Sequence, residues 1–181
     1  MTSKLLCAGC VVDQNNQPYS FWQGLNEAHQ QQLLEFSQND QEIVENTGDA
    51  TRFATPEKMN EWLSGPRIFY VLTPKEKPNE MSGLIWFSQE PLPIEADDQA
   101  TQKVHWTFAV RLYQRARGRH LSSAYMKKAF EHFWLHSPTE PVWLSTKATN
   151  TIAQKIYEKF GFSLLGEKDG RLFYILQPKS I

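Results

Sequence analysis

The sequence has no excess of charge of either sign, no long apolar run and only two cysteines. Its 181 residues include 19 Lys and Arg against 20 Asp and Glu, for a formal net charge of −1. Dedicated nucleic-acid-binding proteins usually carry a strong basic excess, and a membrane span needs about 20 apolar residues. The apolar run near the N-terminus is also too short for a secretory signal. We therefore expect no nucleic-acid partner, no membrane partner and a cytoplasmic location.

The two cysteines, Cys7 and Cys10, form a C-x-x-C pair, a spacing that redox pairs and zinc half-sites share. A closed zinc site needs four ligands, and no second ligand pair with matching spacing follows in the sequence. A thioredoxin-like pair opens a helix, whereas the surrounding LLCAGCVV is typical of a strand. We expect two reduced, partly buried thiols and no metal site.

The composition favours a folded domain, because 40% of the residues are hydrophobic and the chain has 6 Trp, 11 Phe and 6 Tyr. Alternation and short apolar runs predict strands at residues 5–12, 67–72, 81–87, 104–110, 142–144, 162–165 and 172–176. Helical spacing and capping signals predict helices at 24–36, from Thr55-Pro56 to Gly65-Pro66, around 126–133 and at 150–160. The polar stretch 37–51 has no clear period, and 90–101 is typical of a surface loop. The order predicts a mixed sheet flanked by helices.

The segment QRARGRHLSS, residues 114–123, joins the alternating strand 104–110 to the next predicted helix. The first N–H groups of a helix lack partners, and the helix dipole places partial positive charge there, so such a turn favours anions. Arg115, Arg117 and Arg119 add cations that can pair with phosphate. Taken alone, the segment is compatible with a phosphate-binding loop, an exposed basic surface or a nucleic-acid contact.

Two segments together resemble the GCN5-related N-acetyltransferase (GNAT) superfamily. The acyl-CoA motif of that superfamily is Arg/Gln-x-x-Gly-x-Gly/Ala, and Arg115, Gly118 and His120 stand at its three defined positions, after the apolar strand residue Val110. Downstream, Asn150 opens a helix that ends in IYEKFGF, as in the family. The resemblance covers residues 81–176. It departs from the family at the last loop position, where the family has a small residue and this chain has a histidine.

The resemblance implies a GNAT-like α/β fold, with a mixed, largely antiparallel twisted sheet flanked by helices. It implies one domain, 1–181, with the acceptor side mainly in 1–101 and the acyl-CoA core in 102–177. The implied activity is direct transfer of an acetyl group from acetyl-CoA, as co-substrate, to an amine of a small molecule or peptide, without a metal. The alternative is a non-catalytic, acyl-CoA-binding regulatory protein of the same fold. Analogy with relatives that dimerise also allows a homodimer.

The resemblance also implies the site residues. The loop would hold the CoA pyrophosphate through backbone N–H groups, the end of the strand would pair with the pantetheine arm, and one tyrosine would donate a proton to the departing thiolate. The implied cofactor-binding residues are Phe108, Ala109, Val110, Arg115, Ala116, Arg117, Gly118, Arg119, His120, Leu121 and Asn150, and the implied catalytic residue is Tyr157. Asn150 is alternatively a helix cap, and Tyr157 is alternatively a core aromatic. Three alternatives are open for the His120 side chain: it points outward, it donates a hydrogen bond to the phosphate, or it obstructs the site.

No motif identifies the general base or the acceptor. His105 and four acids of the loop before its strand are the candidates for the base, and each is alternatively an exposed surface residue. The four acids are Glu90, Glu95, Asp97 and Asp98. Trp22, Phe53 and Trp62 are candidates for an acceptor pocket, with aromatic core as the alternative.

Overall fold

The computed structural model describes residues 5–94, 104–137 and 140–178, which form eight strands and six helices. The strands are β1 Leu6–Val12, β2 Pro18–Gln23, β3 Arg67–Pro74, β4 Gly83–Gln89, β5 Trp106–Leu112, β6 Val142–Lys147, β7 Ser163–Lys168 and β8 Arg171–Leu176. The helices are α1 Glu27–Asn39, α2 Gln41–Asn46, α3 Asp49–Arg52, α4 Pro56–Ser64, α5 Leu121–His136 and α6 Thr151–Phe160.

All eight strands belong to one sheet, in the order β1-β2-β3-β4-β5-β6-β8-β7. Every neighbouring pair is antiparallel except β5 and β6, which run parallel. This confirms the predicted mixed, largely antiparallel sheet flanked by helices. The parallel pair is joined only at its beginning, where Trp106 pairs with Val142 and Thr107 with Trp143. Beyond these residues the two strands have no paired positions, and an opening is left in the middle of the sheet.

Helices cover both faces of the sheet. On one face, α5 and α6 bury a core that includes Phe87, Phe130 and Phe133, and the rings of Phe87 and Phe133 stack at 4.0 Å. On the other face, α1 to α4 bury a second core that includes Leu33 and Phe53. Fully burying side chains of this size stabilises a fold by about 2–3 kcal/mol each. The sheet is therefore held from both sides, and its opening connects the two helical layers.

The predicted capping signals of two helices are confirmed. Thr55 Oγ1 accepts a hydrogen bond from the Lys58 N–H at 3.3 Å, with Pro56 in the first turn of α4. Asn150 Oδ1 accepts from the Ala153 N–H at 3.1 Å and caps α6. Gly161 ends α6 in the left-handed region, at φ +113°, where a residue with a Cβ is disfavoured. The start of α4 and both ends of α6 depend on side chains within a few residues, and the sequence therefore predicted them.

Three short elements were not predicted. The strand β2 begins at a proline and is six residues long, and α2 and α3, which occupy the polar stretch 37–51, are six and four residues long. Helices of one or two turns are too short to show a 3.6-residue period and depend on tertiary packing. The predicted helix 24–36 begins at Glu27 instead, because the Asn26 side chain caps it by accepting from the His29 N–H.

The prediction of partly buried cysteines is wrong, because Cys7 and Cys10 are both exposed. The reason is the position of β1, which is an edge strand paired only with β2. The helix α5 packs against β1, but of the strand only Val11 is buried.

Two other features are not found in the described ranges. No helix there is long and apolar enough to cross a membrane. Nor do three His, Cys, Asp or Glu side chains in those ranges come together as metal ligands.

Candidate functional site

A cleft of about 910 Å³ occupies the opening between β5 and β6. Ten of the twelve predicted site residues line it: Phe108, Ala109, Val110, Ala116, Arg117, Gly118, His120, Leu121, Asn150 and Tyr157. Arg115 and Arg119 are not among its lining residues. One end of the cleft is called the loop end and is formed by Ala116, Arg117, Gly118, His120, Leu121 and Ser122. The other end contains Trp62, Trp86 and Trp143 and is called the tryptophan end.

The β6-facing edge of β5 forms one wall of the cleft. Residues Phe108 to Leu112 pair with β4 on one side, but no position of β6 pairs with them on the other. Backbone N–H and C=O groups on an unpaired strand edge bind an extended polar chain in the way that a neighbouring strand does. This wall therefore fits an elongated ligand that carries amide groups.

The backbone at the loop end has the geometry that favours an anion. Gly118 and His120 both adopt left-handed backbone, at φ +71° and φ +57°, and α5 begins without a side-chain cap. Residues 114–120 form a turn that leads directly into this helix start. Uncapped N–H groups at the start of a 16-residue helix favour an anion.

The hairpin between β1 and β2 holds the carbonyl side of this loop. The Gln14 N–H donates to the Arg119 carbonyl and the Gln14 side chain donates to the Gly118 carbonyl, both at 3.2 Å. In a trans peptide unit the C=O and the next N–H point in opposite directions. The N–H groups of Arg119 and His120 therefore point away from Gln14. This contact spans more than 100 residues of sequence and had no signal in the motif.

The three arginines of the loop are all paired with carboxylates. The pairs are Arg115 with Glu80, Arg117 with both oxygens of Asp40 at 2.8 Å and with Glu42 at 3.0 Å, and Arg119 with Asp13 at 3.1 Å. The segment is therefore largely neutralised, and an exposed basic surface or a nucleic-acid contact loses its support. Of the three, only Arg117 lines the cleft, and two acids already occupy its guanidinium.

His120 is exposed and lies immediately before α5, at the N-cap position. It makes no capping hydrogen bond, and its left-handed backbone is a conformation that glycine adopts with less strain. The exposed side chain is compatible with an outward orientation and with donation to a bound phosphate. This loop does not need a small residue to fold.

Asn150 and Tyr157 face the cleft from α6. Asn150 uses its side-chain oxygen to cap the helix, and in the described chain its side-chain nitrogen has no partner, so capping and ligand binding are compatible. The Tyr157 ring packs against Phe162 and Tyr174, at centroid distances of 5.7 and 6.2 Å. Burial raises the pKa of Tyr157, and the charges of Arg111 and Arg171 offset only part of that rise. The phenol therefore keeps its proton at neutral pH.

The tryptophan end contains charged residues that sequence reasoning missed. Asp49, which is buried at the start of α3, pairs with Arg111 Nε at 2.6 Å and with Arg52 Nη1 at 2.5 Å. Burial alone raises the pKa of Asp49, but the two guanidinium groups outweigh it and hold the pKa below the ordinary 3.8. Asp49 is therefore ionised, and its ion pair with Arg111 connects α3 to the central strand β5.

We expect Asp49→Asn to lower the free energy of unfolding by about 3–5 kcal/mol at neutral pH, because it leaves the buried Arg111 guanidinium without its anion. The Asp49 carboxylate contributes its full stabilisation at pH values above the ordinary aspartate pKa. This stabilisation is lost as the pH falls through the lowered pKa of Asp49 in the folded state. Urea denaturation at pH 7 measures the loss. The matched control is Asp169→Asn, in the exposed β7–β8 turn, where the same change should have little effect. Equal losses for the two variants would contradict the assignment.

Of the two candidate bases that the structure describes, Glu90 and His105, only Glu90 lines the cleft. Its side chain accepts a hydrogen bond from Ser88 Oγ at 3.0 Å, and its backbone carbonyl accepts from Trp143 Nε1 at 2.8 Å. His105 is exposed and lies outside the cleft lining. The other three candidates, Glu95, Asp97 and Asp98, lie outside the described residues.

Of the three aromatic residues that were candidates for an acceptor pocket, one lines the cleft and two do not. Trp62 lines the cleft at its tryptophan end. Phe53 is fully buried in the core under α1 to α4, as its alternative interpretation has it. Trp22 donates to Thr73 Oγ1 at 3.0 Å and does not line the cleft.

A sequence model of the acetyltransferase (GNAT) family matches residues 29–162 of this chain. Among solved structures, the fold is similar to RimL, a ribosomal α-N-protein acetyltransferase solved in complex with coenzyme A, with 13% identity, a TM-score of 0.67 and coverage of 98% of this chain and 100% of RimL. The GNAT domain of the S. lividans protein PAT has 11% identity and a TM-score of 0.69, with 93% and 95% of the two chains covered.

The N-acetyltransferase PseH of Campylobacter jejuni has 9% identity and a TM-score of 0.55, with 88% of this chain and 97% of PseH covered. At such identities the structural similarity shows the fold alone. No curated protein sequence matches the chain.

Proposed function

The chain belongs to the acetyltransferase (GNAT) family, and on that premise we propose that it moves an acetyl group from acetyl-CoA to the amine of an acceptor by direct transfer. The observation that carries this proposal is the cleft itself. It joins an unpaired strand edge, an uncapped helix N-terminus and a buried tyrosine in one continuous space. Each of these three parts fits one part of the cofactor: the helix N-terminus fits the pyrophosphate, the strand edge fits the pantetheine arm, and the tyrosine fits the departing thiolate.

The residues present fit acetyl-CoA along its length. The N–H groups of residues 117–121 would bind the pyrophosphate, and the unpaired edge of β5 from Phe108 to Val110 would bind the amides of the pantetheine arm. The Asn150 side-chain nitrogen would add a donor to the arm. Arg115 and Arg119 are given a supporting role, because they pair with Glu80 and Asp13 and hold the loop rather than the phosphate.

Tyr157 is proposed as the proton donor. The acceptor nitrogen attacks the thioester carbonyl carbon, a C–N bond forms, and the C–S bond then breaks with its electron pair on sulfur. The Tyr157 hydroxyl gives its proton to that sulfur, for which its raised pKa keeps it protonated at neutral pH. A backbone N–H of the β5 edge would stabilise the negative charge on the carbonyl oxygen.

Glu90 is proposed as the group that accepts the proton from the acceptor nitrogen. It is the carboxylate at the tryptophan end that forms no ion pair with a described residue, whereas Asp49 is held by two arginines. Because Glu90 follows directly after β4, it lies beside the beginning of β5, and its N–H donates to the His105 carbonyl at 2.7 Å. The proton therefore leaves at the end of the cleft opposite the loop.

The chain is proposed to act as one domain. The region 1–101 supplies Trp62, Trp86 and Glu90 to the cleft, and the region 102–177 supplies the β5 edge, the loop and α6. Strands from both regions belong to a single sheet.

Two measurements on the purified protein test the proposed function. Calorimetric titration should show acetyl-CoA binding at micromolar concentrations, and a thiol-release screen should then find turnover with members of a panel of amino acids, polyamines, aminoglycosides and peptide N-termini. Absence of binding at millimolar acetyl-CoA would refute the proposal. Tight binding without thiol release across the panel would favour the alternative, a regulatory protein that binds acyl-CoA without catalysis.

A further inference from the structure

Four arginines meet at the tryptophan end of the cleft, on the face of the sheet that α1 to α4 cover. They are Arg52 of α3, Arg67 of β3, Arg111 of β5 and Arg171 of β8, and we call them the arginine cluster. The guanidinium groups of Arg52, Arg67 and Arg111 lie near two tryptophans, Trp62 and Trp86, whose ring centroids are 5.3 Å apart. The Arg67 Cζ lies 4.7 Å from the Trp62 centroid, and those of Arg111 and Arg52 lie 4.8 and 5.8 Å from the Trp86 centroid.

The arginine cluster is only partly neutralised. Full neutralisation of the four arginines would need four carboxylates, and the described residues at this end provide two, Asp49 behind the wall and Glu90 on it. Four arginines against these two acids leave a surplus of two positive charges. The other acid and base in the lining, Glu42 and Arg117, pair with each other at the loop end.

The chain itself uses three of the five N–H groups of Arg111, one on each of its three nitrogens. Its Nε and Nη2 donate to the two oxygens of Asp49 at 2.6 and 3.0 Å, and its Nη1 donates to the Val110 carbonyl at 3.0 Å. Arg111 therefore positions the strand and contributes charge to the cleft.

The other three members of the cluster have donors to spare within the described part of the chain. Arg67 Nε is buried and has no hydrogen-bond partner. Arg171 bonds only the hydroxyl and the carbonyl of Ser145, at 3.0 and 3.1 Å, and has no carboxylate partner. Arg52 bonds Asp49 through Nη1 alone. A buried donor without a partner is unfavourable, so Arg67 Nε gains most from an acceptor oxygen in the cleft, and Arg52 and Arg171 have further N–H groups that such an oxygen can use.

The charges of the cluster also act against one another. Burial and then the positive charges of Arg111 and Arg52 lower the pKa of Arg171. Burial lowers the pKa of Arg67 too, with a further lowering by Arg52 that the negative charge of Glu90 opposes. An anion placed between these side chains would relieve both effects.

We propose that the acceptor amine also carries an oxyanion, a carboxylate or a phosphate, and that Arg52, Arg67 and Arg171 bind this group. The inference rests on the proposed acetyl transfer and narrows its acceptor class. The planar guanidinium fork matches the oxygens of both groups. The same surplus of positive charge disfavours polyamines and aminoglycosides, which carry several cations.

The cluster also favours the reactive form of the acceptor. A nearby positive charge disfavours an ammonium and lowers its pKa. Once the oxyanion has fixed the acceptor in the cleft, its nitrogen is more often the free amine that attacks the thioester. Glu90 then has to remove a proton from fewer of the bound acceptor molecules. An exposed carboxylate such as Glu90 suffices for that task.

Matched pairs of amines test the acceptor class. Alanine is compared with alaninamide, and phosphoethanolamine with ethanolamine, in the thiol-release assay at saturating acetyl-CoA. We expect kcat/KM to be about 10–100-fold higher for the anionic member of at least one pair, as for hydrogen bonds to a charged group. The pair with the larger ratio identifies the oxyanion. Equal or higher values for both neutral amines would overturn the inference.

Charge-removing variants test the residues. Arg171→Gln should raise KM for the preferred anionic amine about 10–100-fold, lower kcat/KM for its neutral partner by a much smaller factor through the loss of one positive charge, and leave the affinity for acetyl-CoA unchanged. Lys127→Gln removes one positive charge from an exposed position of α5, outside the cleft, and should change none of these. Arg52→Gln provides a second variant if Arg171→Gln fails to fold. A similar loss for both amines would remove the arginine from oxyanion binding.

A binding experiment separates the two proposals. In the presence of CoA, calorimetry should detect N-acetylalanine or N-acetyl-phosphoethanolamine more readily than N-acetylalaninamide, without any need for turnover. If acetyl-CoA binds but the neutral product binds as well as both anionic ones, only the acceptor class is wrong. If acetyl-CoA itself does not bind, the proposed function is wrong.

Discussion

Gly118→Glu is expected to weaken acetyl-CoA binding by about 100-fold or more. Gly118 lies at the loop end of the cleft, where backbone N–H groups are proposed to bind the pyrophosphate. A carboxylate there faces a negatively charged ligand, and two like charges about 6 Å apart at an effective dielectric constant of about 20 repel by about 3 kcal/mol. Calorimetric titration of the variant with acetyl-CoA measures the loss of affinity.

Gly170→Glu is a closely matched control for this experiment. Both glycines adopt left-handed backbone, at φ +71° for Gly118 and φ +68° for Gly170, and a Cβ added to either meets no atom within 4 Å. The two variants therefore share the same backbone strain and the same added charge. Gly170 lies in the β7–β8 turn, outside the cleft, so its variant should bind acetyl-CoA normally. Equal binding by the two variants would show that the loop is not the pyrophosphate site.

Tyr157→Phe is expected to lower kcat by about 100-fold or more, as removal of a general acid does. Affinity for acetyl-CoA should stay within about threefold, because phenylalanine keeps the ring contacts with Phe162 and Tyr174 while the arm-binding edge of β5 is untouched. Steady-state kinetics with any acceptor found in the screen, together with a calorimetric titration, measures the two quantities separately.

Tyr174→Phe serves as the control for the tyrosine. Tyr174 is buried beside Tyr157, but its hydroxyl donates to Glu158 Oε1 at 3.2 Å and it does not line the cleft. Its loss should reduce stability by about 1 kcal/mol, as for one hydrogen bond, with kcat unchanged. An unchanged kcat in Tyr157→Phe would remove that residue from the acid role and leave it as a core aromatic.

The half of the cleft that is proposed to bind the cofactor could be predicted from the sequence because its determinants are local. An alternating strand, a glycine-containing turn and two helices with capping residues each depend on neighbours within a few positions. The cap at Asn150 and the left-handed Gly161 follow from side-chain chemistry at those two positions. The same locality explains why a histidine at the end of the loop motif leaves the fold unchanged.

The ion pairs of the loop and the tryptophan end of the cleft depend on contacts between residues that are distant in sequence. Sequence patterns therefore did not predict them. The acids that neutralise the loop, Asp13, Asp40 and Glu80, lie 35 to 106 residues from their arginines. A run of arginines therefore looked basic in sequence and is paired in the structure. The arginine cluster likewise draws one residue from each of four separate elements. The four arginines come together only through the order of the strands in the sheet and through the short helices α2 and α3. These helices are too short to show a helical period in the sequence.

The most direct test of the central claim is the fate of the acetyl group. The protein is incubated with acetyl-CoA that carries ¹³C in the acetyl group and with an acceptor from the screen, and mass spectrometry follows the acceptor while a thiol reagent follows CoA. The account predicts one ¹³C-acetylated amine for each CoA released. CoA release without an acetylated amine, or acetyl-CoA binding with neither product for any amine in the panel, would contradict it.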